Sequence, residues 1–274
     1  MKQIISAGLA LCLAAGPVSG AGQPVDERSQ DRARVSESRP VDARVLRVRL
    51  DGVIDLIIRQ GAVAQLVLNG ERAAIDRTST EQNGDTLLID NDEHVRRDRD
   101  GKERKGGINF SSSRTLRAEL TLPRLRSLSS DSVGSTEVFG FSGEEIDLSL
   151  DGAGAMKVVS DYKVVNASLG GIGSMNIQSG NCDLIDLNLH GAGYVTLTGR
   201  TRLLKASLGG LGGLDAEKFQ ADTVNLDMSG LGNASVLARQ NAVLNLSGMG
   251  SVTVYGKPER RSVSIDGLGK VSWK

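Results

Sequence analysis

The chain has 274 residues, with 33 Lys and Arg against 33 Asp and Glu, so its formal net charge is zero. That balance leaves no global charge that argues for nucleic acid or an anionic membrane surface as partner. Aromatic residues make up only 3% of the chain while Gly numbers 34, which fits a thin β core of Leu, Val and Ile.

In chain order, residues 1–21 read as a signal peptide. Lys2 gives the positive start, Ile4 to Ala15 the apolar stretch, and Val18, Ser19, Gly20 and Ala21 the small residues of a cleavage site. The apolar run is shorter than the roughly 20 residues needed to span a bilayer. Cys12 follows Leu11 and lies too early for a lipoprotein anchor. Removal of this segment leaves Cys182 as the one thiol, which excludes an internal disulfide. The expected location is the periplasm, the exterior or the cell surface, with no transmembrane segment after cleavage.

Residues 22–40 are polar and charged and read as a disordered leader. Residues 41–128 read as an N-terminal β region. Val45 to Leu50 alternate, Asp51-Gly52 is expected to turn a hairpin into Val53 to Ile58, and Asn69-Gly70 and Asn83-Gly84 end further strands. No helix is expected here. Within this region, residues 91–114 hold a mixed-charge run from His94 to Lys105 and are expected to be a mobile, solvated loop. Strand character resumes from Thr115 to Leu122 and stops at Pro123.

Residues 129–274 carry the most informative feature. A Gly-x-Gly step recurs with its first glycine at 152, 171, 191, 210, 230, 248 and 267, at intervals of 19, 20, 19, 20, 18 and 19 residues. Ser132-Val133-Gly134 is a weaker rung 20 residues earlier. A constant period of this size marks a solenoid.

Aligning the steps shows the chemistry of one rung. Two residues before each pair stand Leu150, Leu169, Leu189, Leu208, Met228, Leu246 and Ile265. Four after stand Met156, Met175, Val195, Leu214, Ala234, Val252 and Val271; six after stand Val158, Ile177, Leu197, Ala216, Val236, Val254 and Trp273. Residues two apart on a strand share a face, so these columns are core. The column three before the pair, from Ser149 to Ser264, is polar and faces water. One rung cannot bury enough apolar surface to offset its ordering, and only stacking in parallel closes the gap. The fold class is therefore all-β, a right-handed parallel β-helix (β-solenoid) of about eight rungs of 18–20 residues, its N-terminal end capped by the β region.

The repeated Leu-x-Gly-x-Gly, with Gly250 to Pro258 and Asp266 to Val271 at the end and Leu120 to Leu125 before the repeats, resembles the GIN-domain family of bacterial envelope proteins, labelled autotransporter adhesin head domains. The resemblance covers roughly residues 43–274. It implies a β-helical fold, export and an uncharacterised, adhesin-like role. Between the paired glycines, where the family is often small and polar, stand Ala153, Ile172, Ala192, Leu211, Leu231, Met249 and Leu268. If the corner keeps strand alternation, Ile172, Leu211, Leu231, Met249 and Leu268 form an outward ridge and a partner surface. If parity flips, they fill the core. The buried reading is the expectation.

Enzymatic chemistry is thin. The mature histidines, His94 and His190, cannot assemble a catalytic trio or a metal site, and no cofactor is expected. Gly209 to Asp215 approaches a calcium repeat, but its acid is one place late and no nine-residue period follows. The best candidate binding surface is the polar column Asp147, Asn166, Asp186, Lys205 and Asn225, five residues before each pair. Such rows can hold a glycan or, in polysaccharide lyases, assist catalysis. The expected function is an exported binding or scaffolding protein of the cell envelope, with a surface glycan or an envelope protein as partner. The alternatives are a carbohydrate-active enzyme on the same fold and a structural module that forms homo-oligomers through the ridge or an open end.

Overall fold

The computed structural model describes residues 34–91 and 116–274. The signal peptide, most of the leader and residues 92–114 of the charged loop lie outside the described residues. Fifteen strands and one helix follow in chain order: β1 Arg34–Pro40, β2 Arg47–Gln60, β3 Gln65–Glu71, α1 Arg72–Arg77, β4 Ser79–Asn83, β5 Thr86–Asn91, β6 Leu116–Leu122, β7 Ser127–Leu150, β8 Ala153–Leu169, β9 Ile172–Leu189, β10 Ala192–Leu208, β11 Leu211–Met228, β12 Leu231–Leu246, β13 Met249–Tyr255, β14 Arg260–Ile265 and β15 Lys270–Trp273.

From β7 to β12 each strand pairs in parallel with the next, one period later, in the register that the glycine steps set. The result is a parallel β-helix of about seven turns. Its core columns are the expected ones. Leu150, Leu169, Leu189, Met156, Met175, Val195, Val158, Ile177 and Leu197 are all at most 1% exposed.

The weaker rung at Ser132 is real, with Gly134 opposite Gly154, and the stack continues beyond it. β2 lies parallel on β7, Gly52 opposite Ser132. The hairpin expected at Asp51-Gly52 is therefore a solenoid corner inside one continuous strand. Gly52 has φ 98°, and a Cβ there would collide with the carbonyl of Asn91, so a turn signal in the sequence was a bend within a rung. β5 pairs with the first half of β2 and β6 with the second, Asn91 opposite Gly52 and Leu116 opposite Ile54. The chain thus leaves and re-enters this rung at its corner.

The N-terminal end is closed by antiparallel pairing: β3 on β6, β1 on β3 and β4 on β5. Two expectations are corrected here. Residues 34–40, placed in the leader, form β1, with Arg39 donating from Nη1 to the Thr78 carbonyl at 2.6 Å and from Nη2 to the Ile75 carbonyl at 3.0 Å. The region also has one short helix, α1, which buries Ala74 and Ile75.

Below the cap, Tyr162 reaches from β8 to the segment after Pro123. Its hydroxyl donates to the Leu125 carbonyl at 2.5 Å, and burial pushes its pKa up to about 12.

Candidate functional site

The corner decides what the outside of this molecule offers. Along Leu150-Asp151-Gly152-Ala153-Gly154-Ala155-Met156 the inward and outward positions alternate without a break. Strand parity is kept, so the glycines point inward and the residue between them points out. The inward positions must be glycine because the preceding turn comes too close. A Cβ on Gly173 would strike the Gly154 carbonyl oxygen, and one on Gly232 the Gly212 carbonyl oxygen.

The buried reading of the intervening column is therefore overturned. Ile172 is 69% exposed, Leu211 57%, Leu231 44%, Met249 56% and Leu268 81%. Rung pairing places Ile172, Ala192, Leu211, Leu231 and Met249 in one line. Ala192 leaves a dip in that line. Two residues on, the Tyr194 ring lies over Gly213, where a Cβ would come within 2.8 Å of its Cε2; an aromatic covering a strand glycine protects the ladder. Burial, then the charge of Asp215, raises the Tyr194 pKa.

Beside the ridge runs an open hollow of about 460 Å³, lined by Leu211, Leu231, Met249 and Leu268 together with the glycine corners and Ser229 and Ser247. Its corner amides are already used: Leu211 N donates to the Gly191 carbonyl, Gly230 N to Leu208 and Leu231 N to Gly210. The surface is apolar and uncharged, and what it can do is exclude water against a complementary apolar surface.

On the adjoining face the five polar candidates do form one line. Asp147 pairs with Asn166, Asn166 with Asp186, Asp186 with Lys205, and Lys205 with Asn225. The line ends at Val243, which follows Asn225. Asn166 Nδ2 donates to Asp147 Oδ1 at 2.8 Å and to Glu145 Oε1 at 2.9 Å, and Asn188 Nδ2 to Asp186 Oδ1 at 3.4 Å. Glu145 and Asn188 are thus members that the five-residue column missed; their offsets, seven and three before the glycine pair, were the available signal. The hollow here is about 240 Å³. His190 is an exposed corner residue beside Gly209. Among the described residues, no three or more of His, Cys, Asp and Glu come together to hold a metal ion, and no helix is long and apolar enough to cross a membrane.

Fold and surface together define a parallel β-solenoid whose distinguishing outer feature is an apolar corner ridge. The chain belongs to the GIN-domain family: the profile described as "Putative auto-transporter adhesin, head GIN domain" matches residues 46–193 and 180–258. Solved structures share the fold. A putative adhesin from Bacteroides fragilis is 19% identical with a TM-score of 0.60, covering 89% of this chain and 99% of its own. One from Parabacteroides distasonis is 16% identical, TM-score 0.71, covering 89% and 98%. One from Parabacteroides merdae is 12% identical, TM-score 0.72, covering 87% and 95%. No curated protein matches this sequence. The adhesin-like family implies a place in the envelope or at the cell surface, and its molecular function is uncharacterised.

Proposed function

We propose that this chain is an exported, non-catalytic binding or scaffolding protein, released into the periplasm or beyond after loss of residues 1–21, and that it holds an envelope protein along the ridge Ile172, Leu211, Leu231, Met249 and Leu268. The observation that carries this is the exposure of all five of these apolar side chains, Ile172, Leu211, Leu231 and Met249 in one register line and Leu211, Leu231, Met249 and Leu268 lining a hollow without charge. Exposed apolar surface of this continuity costs solubility and is retained where a partner covers it. Nothing among the described residues favours the enzyme alternative. The carboxylates stand on an open face, already bonded to neighbouring amides, where water is not excluded.

The double variant Leu211→Ser/Leu231→Ser tests the reading. Its Tm should stay within about 2 °C of wild type, because surface changes move stability by roughly 0.5 kcal/mol. A photo-crosslinker at position 172 should lose its envelope adducts in the same variant. Unfolding of the variant, or an unchanged adduct pattern, contradicts the ridge.

A second reading rests on the polar line. The Asn166 amide bridging Asp147 and Glu145 makes a fixed row of acceptors suited to sugar hydroxyls. Glycan-array binding that disappears in Asp147→Ala/Asp186→Ala would favour it over the ridge; an unaffected array profile would remove it.

A further inference from the structure

The last rung carries a side chain that breaks the pattern of every rung above it. Residues Ile146, Val165, Ile185, Leu204, Val224 and Ala242 stack in register as one inward column, all buried. The next member is Arg261, opposite Ala242. Its guanidinium lies 4.4 Å from the centroid of the Trp273 ring, and its Nε donates to the Pro258 carbonyl at 3.1 Å. Val263 and Ile265 continue the neighbouring inward columns, opposite Leu244 and Leu246, yet are 41% and 45% exposed. Among the described residues β14 has β12 as its strand neighbour and β15 has β13, so one edge of each carries open donors and acceptors. An edge with two apolar positions and one cation, all facing the core side, is a template of defined chemistry.

A strand laid on this edge would bury Arg261. Burying a cation is costly unless a carboxylate meets it. A two-fold pair of these C-terminal rungs does not supply one. Two-fold pairing runs β14 antiparallel to itself, and keeping Val263 and Ile265 on the core side sets odd-numbered residues against odd. Arg261 then faces Arg261, Val263 or Ile265 of the copy. It reaches Glu259 of the copy only if the overlap shrinks to the strand tip. Pairing with β15 (Lys270-Val271-Ser272-Trp273) offers no carboxylate either. Arg260, Lys270 and Lys274 outnumber Glu259 and Asp266 around the edge, which repels the same edge of a second copy and draws an acidic segment.

We propose that the C-terminal rung accepts an extended, acidic segment of a partner protein, laid antiparallel on β14, with apolar residues over Ile265 and Val263 and a carboxylate on Arg261. The pattern is apolar-x-apolar-x-acid. The N-terminal end shows the same kind of closure, β3 laid antiparallel on β6. This surface is separate from the ridge and stands or falls without it.

The test uses the full chain and three labelled peptides, Thr-Val-Thr-Val-Thr-Glu-Thr and its Gln and Lys counterparts, read by fluorescence anisotropy. The Glu peptide should bind at least roughly tenfold tighter than the Gln peptide, with the Lys peptide weakest. Arg261→Leu should erase the preference for Glu, and Arg261→Glu should transfer it to the Lys peptide; both variants are checked by circular dichroism and sedimentation. Equal affinities, no binding of the Glu peptide at millimolar concentration, or a Glu preference that survives both variants overturns the proposal. So does self-association of Arg261→Leu when the wild type ignores the Glu peptide, since Arg261 would then serve only to keep copies apart.

Discussion

At the N-terminal end of the solenoid, Leu116, Ala118, Leu120 and Leu122 on β6 are at most 1% exposed, because β3 and then β1 lie across them and Arg39 ties β1 to α1. At the C-terminal end, Val263 and Ile265 hold equivalent core-facing positions and stand more than two-fifths exposed, with the Arg261 guanidinium stacked on the Trp273 ring. A repeat protein gains stability from its neighbours, so interior rungs, the closed end and the open end should respond unequally to the same kind of change.

The largest effect should come from the interior corners. Gly232→Ala drives a Cβ to 1.8 Å from the Gly212 carbonyl oxygen, whereas at Gly250 it would meet the flexible Met228 Sδ at 2.5 Å and the Gly232 carbonyl oxygen only at 2.8 Å. By chemical denaturation Gly232→Ala should cost more than about 3 kcal/mol and Gly250→Ala about 1–2. Equal costs would mean that the corners are not stacked backbone to backbone. Next in size is the core column: Ile185→Ala should cost about 2–5 kcal/mol, and Ile265→Ala at the open end about 1. A matching loss at both sites would show that the last rung is covered.

Smaller again is the cap. Arg39→Ala removes donors to the Ile75 and Thr78 carbonyls and should cost about 1–3 kcal/mol, whereas Trp273→Ala should cost about 1 or less. Comparable in size to the Trp273 change is a pH dependence. Because burial raises the folded pKa of Tyr162 above its ordinary 10.0 to about 12, its contribution is complete below pH 10 and fades as pH climbs toward 12. Tyr162→Phe should remove that alkaline fall while leaving stability at pH 7 lower by about 1 kcal/mol; a fall that persists in Tyr162→Phe assigns it elsewhere.

Legibility followed periodicity. Seven glycine steps and their apolar columns were enough to read the stacking, the register and the family, because every rung repeats the same constraint. The β2 rung was read as a hairpin because Asp51-Gly52 is both a turn signal and a solenoid corner, and only its partner strand, 80 residues away at Ser132, tells them apart. β1 was missed because its one large apolar side chain, Val35, gives an edge strand little hydrophobic signal; Arg39 does the fastening. The direction of the ridge could not be read because parity through a corner depends on how near the preceding turn lies, as the Gly173 and Gly232 contacts show. Arg261 was visible as a charge but not as an interruption of a core column, since that requires counting six back from Gly267 and knowing that the position faces inward.

The claim beneath all of this is that one rung succeeds another at the parallel-strand spacing with the ridge outermost. Spin labels at Ile172→Cys paired in turn with Leu231→Cys, Met249→Cys and Leu268→Cys, in a Cys182→Ser background, measure it directly. The separations should lengthen by about 4.8 Å per rung, reaching roughly 24 Å between the backbones at 172 and 268, with each label mobile and the fold intact. Separations that do not increase in rung order, or labels that are immobilised or unfold the chain, would contradict it.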